Sequence, residues 1–299
     1  MPKTFTVDKD YHDSRLDKWF KKKVIDIPHS LVEKIIRQNK VKVNNKKTKS
    51  SYRVQEGDVV NVYEFSKITP QVRNSIIKYK PKKEELGKYD NYIIENNENF
   101  VIINKPAGIP VQSGTKSFKN IIDILNDTKY FLNSKPFIVH RIDKETSGLL
   151  IIAKNRKFAQ LFTSLFRIRK IHKTYLALTY GKVENSIKTL NDELIYYENK
   201  KKFSQNALTH LKVIKSNNDY SFLELKPITG RKHQLRKQLF KLNKPIVGDK
   251  KYYIPGKKIS KNEDLMLHSY KIKFIINNTK YNFKASYSKS FENFLKKNF

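Results

Sequence analysis

The sequence predicts an α+β protein of two domains, and three observations predict it. Apolar residues recur at helical spacing in a short N-terminal stretch. Short apolar runs separated by turn residues dominate the remainder, and no regular strand–helix–strand rhythm appears. A basic, Pro-containing stretch separates the two regions. The expectation is a small domain at residues 13–65, with two helices and a short hairpin sheet. A linker at 66–90 follows, and then a larger domain at 91–299. That domain should hold a mixed, mainly antiparallel central sheet flanked by helices.

In chain order, Leu16, Trp19 and Phe20 fall on one helical face, with Ser14 placed to cap it. A second helix follows Pro28, with a cap at Ser30 and Leu31, Ile35 and Ile36 turned inward. It ends near Asn39, a residue that tolerates the left-handed conformation of a helix exit. Val41–Asn44 and Val54–Val62 read as strands, with a turn at Glu56-Gly57-Asp58. Residues 66–90 carry Lys67, Arg73, Lys78, Lys80 and further lysines beside Pro70 and Pro81, which suits a tether or a solvated crossing strand. Beyond it, Tyr92–Ile94 and Phe100–Ile103 form a hairpin, and Asn120–Leu125 a short helix. Leu149–Ala153 is a buried strand, Lys157–Phe166 an amphipathic helix and Tyr175–Leu178 a strand. Leu208–Lys215 and Tyr220–Lys226 pair across an Asn-Asn-Asp turn, and Leu235, Leu239 and Leu242 mark a helix after Gly230.

Composition narrows the function. Against 28 acids stand 62 Lys and Arg, a net charge of +34 that attracts polyanions through phosphate contacts and counterion release. Most of those cations are Lys, so the excess fits an AT-rich coding background as well as a polyanionic ligand. With no Cys, disulfides, thiolate nucleophiles and Cys-ligated metals are excluded. No apolar run approaches the roughly 18 residues of a membrane span, and the first ten residues resemble neither a signal nor a transit peptide. The expected setting is the cytoplasm, with no membrane partner.

The residues with the clearest chemical content are His140-Arg141-Ile142-Asp143-Lys144-Glu145-Thr146-Ser147-Gly148, a charged turn running into an apolar strand. Such a turn presents a carboxylate while the strand fixes its backbone. Thr146 and Ser147 are able to satisfy turn amides, and Gly148 permits a bend that other residues resist. Taken alone, the stretch also fits an Asp that merely caps a surface loop.

This stretch resembles the H-R-L-D-x-x-T-S-G signature of the RluA-type pseudouridine synthases, with Ile142 in place of Leu. Other blocks follow the family's order: Lys105-Pro106-Ala107-Gly108, Lys173-Thr174-Tyr175-Leu176-Ala177, Gly230-Arg231-Lys232-His233-Gln234-Leu235-Arg236, Pro245-Ile246-Val247-Gly248-Asp249 and Leu267-His268. Lys232 replaces a usual Thr or Ser. Ahead of them, Arg15-Leu16-Asp17, Ser30, Ile36 through Asn44 and Glu56-Gly57-Asp58 resemble the S4 RNA-binding domain, with Asn39 where Gly is usual. Lys34, Arg37 and Lys40 lie along one side of its second helix and Lys42 extends that side, an RNA-facing surface in this reading. The segment from Lys105 to Gly114 is closer to the C type than to the D type of the bacterial large-subunit enzymes.

The resemblance implies the isomerisation of uridine to pseudouridine in large-subunit ribosomal RNA by a monomer without cofactor or metal. Breaking the N-glycosidic bond, turning the base and joining C5 to C1′ admits no outside electron or group. Asp143 is the expected carboxylate, acting on the sugar, on the base or on the C2′ proton. The resemblance supplies Arg231 as the cation that keeps it ionised and sets Tyr175 against the uracil, its hydroxyl near C5. The target uridine must leave its stack first. Arg141 is expected to fill the vacated space or grip a phosphate, and Lys105, Lys154 and Lys173 to line the backbone track. His140, His233 and His268 read as packing or hydrogen-bonding residues. The alternatives are a non-catalytic RNA-binding or ribosome-assembly protein, the same reaction on transfer RNA, and a uracil-releasing glycosylase.

Overall fold

A computed structural model describes residues 2–68, 79–113, 119–198, 201–255 and 263–299. Parts of the expected linker and Gly114 fall outside them. The chain divides into two compact units, Met1–Ile76 and Ile77–Phe299.

In the first unit the helices Leu16–Lys23 and His29–Arg37 cover a small sheet. Its strand order is Lys3–Thr6, Val59–Val62, Val41–Val43, Lys46–Lys47. Trp19, Phe20, Val32, Ile36, Val60 and Val62 are buried together as its core. The N-terminal strand lies ahead of the expected start at residue 13 and pairs antiparallel with Val59–Val62. Asn39 does leave its helix in the left-handed conformation, at φ 61°.

The two expected caps do not form. Ser14 sits in a two-residue strand paired with Val54, so its backbone serves a ladder and the first helix begins at Leu16. The second helix begins at His29 with Pro28 at its N-cap, which places Ser30 inside the first turn.

The second unit is built around Ser147–Ala153, a strand buried at every position. Phe100–Lys105 pairs antiparallel on one side of it. On the other, Leu267–Ile276 touches it in parallel through Ser147 opposite His268 and Gly148 opposite Ser269. The sheet continues antiparallel through His172–Tyr180, Tyr220–Pro227, Lys201–Ser216 and Thr189–Glu198. Alternation along the central strand sorts the two faces. Leu150 and Ile152 pack with Ile121 and Leu125 of the helix Ile121–Asn126. Leu149 and Ile151 pack with Phe162 of the helix Arg156–Arg167. Farther along, Leu235 and Leu239 of Gln234–Lys241 and Phe291 of Lys289–Asn298 close the third cluster.

The expected linker is partly structured. Lys83–Asp90 is a helix, and its Tyr89 is buried beside Ile121. Tyr89, with Tyr79 and Leu86 packed against the same cluster, docks a segment whose composition reads as a tether. Sequence reading also missed the long hairpin arm Thr189–Glu198 and the C-terminal helix, because charged residues interrupt their apolar pattern.

Candidate active site

Asp143 sits in the turn just before the central strand. Its backbone carbonyl accepts from Thr146 N at 3.1 Å, which closes the turn. The next carbonyl, of Lys144, accepts from Gly108 N at 3.0 Å and from Lys105 Nζ at 3.1 Å. Ser147 Oγ lies 2.9 Å from His268 Nδ1 in the neighbouring strand. Gly148, at φ +105°, lets that strand come close: a Cβ there would lie 2.3 Å from Ser269 O. The turn is thus clamped from the sheet side, which leaves the Asp143 side chain, 26 % exposed, facing a cavity.

That cavity has a volume of about 1060 Å³. Arg141, Lys173, Lys226, Arg231, Lys271 and Lys273 are among its lining cations, while Asp143 and Glu224 are the only acids among the described residues that line it. Such a surface suits a phosphate-bearing chain.

The cation beside Asp143 is Arg236, not Arg231. Arg236 Nη1 lies 3.6 Å from Asp143 Oδ2. Arg231 lines the same cavity, but its Nε donates to the Asn206 carbonyl at 3.0 Å. The reason is the backbone between them. His233 adopts φ 54°, turning the chain abruptly into the helix Gln234–Lys241, whose first turn carries Arg236 inward. Arg236 also forms a bidentate pair with Asp249 at 2.7 Å on both branches. Burial works against its charge, yet its two carboxylate neighbours raise its pKa further. His233 Nε2 lies 3.8 Å from Asp143 Oδ1, and its Nδ1 lies 2.9 Å from Tyr252 Oη. Burial lowers the pKa of His233, opposed by Asp143 and assisted by Arg236, Lys251 and Lys232.

Tyr175 lines the cavity, and its hydroxyl is hydrogen-bonded with Ser269. Burial pushes it up to about 12, so it is a neutral phenol at neutral pH. The two other motif histidines are bonded within the fold. His140 Nε2 accepts from Ile151 N at 2.8 Å while its ring stacks on Phe166, and burial pushes it down to about 3. Burial brings His268 to about 4.

Lys105 does not line an RNA track. It is fully buried, and its ammonium donates to the carbonyls of Pro106, Ile109 and Lys144 at 2.8, 2.9 and 3.1 Å. Burial pushes it down to about 7, against the pull of Glu145 and Asp143. Three carbonyls match the three protons of an ammonium, so this residue is an internal strut beneath the Asp143 turn. Arg141 and Lys173 do face the cavity. Lys154 is not among its lining residues, and its Nζ stands 5.9 Å from the centre of the Phe131 ring. In the first unit Lys34 and Arg37 are exposed, Lys40 pairs with Glu64 at 2.9 Å, and Lys42 lies over Tyr63.

Among the described residues, Asp17, His29 and Glu33 gather as a metal-ligand set would. Arg15 already bonds Asp17, so that carboxylate is committed to an ion pair.

Sequence reading gave Arg236, Asp249 and Tyr252 no part in the site, and it read His233 as a packing or hydrogen-bonding residue. Two Arg share one motif, and only the turn at His233 decides which of them meets Asp143.

A cavity lined mostly by cations with the Asp143 carboxylate facing it, on a mixed sheet with helices, fits an enzyme that works on a phosphate-bearing polymer. Residues 99–241 match the family described as RNA pseudouridylate synthase, and residues 14–60 match the S4 domain. The chain is 35% identical to ribosomal large subunit pseudouridine synthase C of Rickettsia felis, over 80% of this chain and 81% of that one. It is 30% identical to the protein of the same name from Buchnera aphidicola, over 97% and 95%. The solved structure of human RNA pseudouridylate synthase domain containing 4 superposes with a TM-score of 0.61 at 26% identity, covering 71% of this chain and 94% of that one. The chain belongs to the RNA pseudouridylate synthase family and carries an S4 domain at its N-terminal side.

Proposed function

We propose that this enzyme isomerises uridines of large-subunit ribosomal RNA, working as a cytoplasmic monomer, with Asp143 as the reacting carboxylate. The observation that carries the reading is the placement of Asp143 Oδ2 at 3.6 Å from Arg236 Nη1 in a cavity otherwise rich in cations. The names of the relatives support the ribosomal substrate.

In this reading the S4 unit holds the RNA through phosphate contacts from Lys34, Arg37, Lys40 and Lys42. The target uridine turns out of its stack into the cavity, at an unstacking cost of a few kcal/mol. Arg141 occupies the space it leaves, while Lys173 and Arg231 meet phosphates. Tyr175 packs against the uracil. Arg236 keeps Asp143 anionic as substrate displaces water, since a shielded carboxylate otherwise takes up a proton. The N1–C1′ bond breaks, C5 joins C1′, N1 gains a proton and C5 loses one. Every atom of the nucleoside is kept, so the reaction needs neither redox partner nor group donor.

The test is Asp143→Asn. It should bind ribosomal RNA as the parent does and yield no pseudouridine when the RNA is mapped with carbodiimide. Isomerisation at the parental rate would remove Asp143 from the site. Product in transfer RNA but not in ribosomal RNA would change the substrate and leave the chemistry intact.

A further inference from the structure

Arg236 serves two carboxylates unequally. Asp249, fully buried, takes the Nε and Nη2 edge of the guanidinium, each at 2.7 Å. Asp143 faces only Nη1, at 3.6 Å, too long for a hydrogen bond. Its other oxygen faces His233 Nε2 at 3.8 Å, again without a bond. The carboxylate is therefore charge-compensated while no hydrogen bond from the described residues covers its lone pairs. A bidentate pair between Arg236 and Asp143 would compensate the charge equally well but cover those lone pairs.

Asp249 also organises the segment that supplies the second neighbour. Its Oδ1 accepts from Lys251 N at 2.9 Å and from Tyr252 N at 3.0 Å. The Tyr252 ring lies 5.3 Å from the Arg236 guanidinium carbon, and the hydroxyl meets His233 Nδ1. A phenol that donates to Nδ1 leaves the proton on Nε2, the nitrogen that faces Asp143. The backbone admits little freedom here. Gly248 is at φ +74°, and a Cβ on it would lie 1.9 Å from Asp264 O.

We propose that Asp249 is a positioning residue for the reaction: by engaging Arg236 side-on and ordering the Tyr252 turn, it holds both neighbours of Asp143 at a distance that preserves the carboxylate's reactivity. This rests on the reading of Asp143 as the reacting group. Without the charge of Asp249, Arg236 closes onto Asp143, where the attraction in a shielded site is strong.

The experiment is Asp249→Asn in the full chain, with ribosomal RNA as substrate. The expected result is a fall in kcat of about 10²-fold, the scale of a misplaced reacting group, with KM unchanged. The acidic limb of the pH–rate profile should move to lower pH, because a closer guanidinium holds Asp143 ionised more firmly. The charged and titratable groups around Asp143 are Arg236, His233, Tyr175, Lys105, Glu145 and Tyr252, and the variant removes none of them. An unchanged kcat overturns the proposal. So does a rate loss with an unmoved acidic limb, which marks a purely structural role. If Asp249→Asn does not fold, Asp249→Glu keeps the charge and shifts it by one methylene. It should lower kcat at constant KM, and parental kcat overturns the proposal. An active Asp143→Asn would instead defeat the reading of Asp143 itself.

Discussion

Replacing Gly148 by Ala tests whether the Asp143 turn depends on the parallel contact beneath it. The new Cβ would lie 2.3 Å from Ser269 O, 2.6 Å from its N and 2.7 Å from its C. All three are backbone atoms, so no side chain is able to swing aside. Relief requires the strand Leu267–Ile276 to move away from Ser147–Ala153. Overpacking of this kind costs about 1–3 kcal/mol, and a left-handed backbone on an L-residue adds about 1–2 kcal/mol. The sum is about 2–5 kcal/mol, which for a unit of this size lowers Tm by about 4–20 °C. Gly108→Ala is the control, because Gly108 has φ +84° but nothing within 4 Å of its Cβ. It should lose the conformational part only. The assay is thermal unfolding of the full chain, with kcat measured well below the transition. Ser269 is hydrogen-bonded with Tyr175 and bonds the Leu149 carbonyl, so kcat should fall as well. A Tm for Gly148→Ala equal to that of Gly108→Ala would refute the reasoning.

Two other substitutions separate roles that the sequence left entangled. Arg236→Met leaves a buried carboxylate unpaired, a loss of about 3–5 kcal/mol, and should abolish turnover. Arg231→Met should keep kcat, weaken RNA binding and reduce the salt dependence by about one phosphate contact. The reverse pattern in kinetics would restore Arg231 as the partner of Asp143. Lys105→Met strips the donor from three carbonyls and should destabilise the fold by about 3 kcal/mol or more, with the salt slope of RNA binding unchanged. Lys105 falls to about 7 in the fold against about 10.4 in the unfolded chain. Between those values the unfolded chain binds a proton that the fold has released, so stability from this residue grows as pH rises. Denaturant titrations of parent and variant should therefore diverge with pH between about 7 and 10.4. A constant difference would mean that the ammonium keeps its ordinary pKa.

Local signals settled much of the architecture before any coordinates. The apolar spacing of Leu16, Trp19 and Phe20 placed a helix, Leu149–Ala153 a buried strand, and Asn39 a helix exit. Asp143 stood out through the family signature around it, since the stretch taken alone also fits an Asp that caps a surface loop. The caps at Ser14 and Ser30 were misread, since a side chain able to cap a helix is overridden when its backbone joins a ladder or lies within the first turn.

Side-chain partnership was decided by tertiary structure. Lys105 looks like any other cation in this sequence, yet it lies buried with its ammonium on three carbonyls. Arg231 and Arg236 stand five positions apart in one motif, and only the left-handed turn at His233 sends the second one toward Asp143. Asp249 lies thirteen residues beyond Arg236, past the end of its helix, and no local pattern announces that the two meet. Periodicity and turn chemistry act over a few residues and can be read from the chain. Which charge meets which depends on contacts between segments far apart, and those exist only once the sheet has closed.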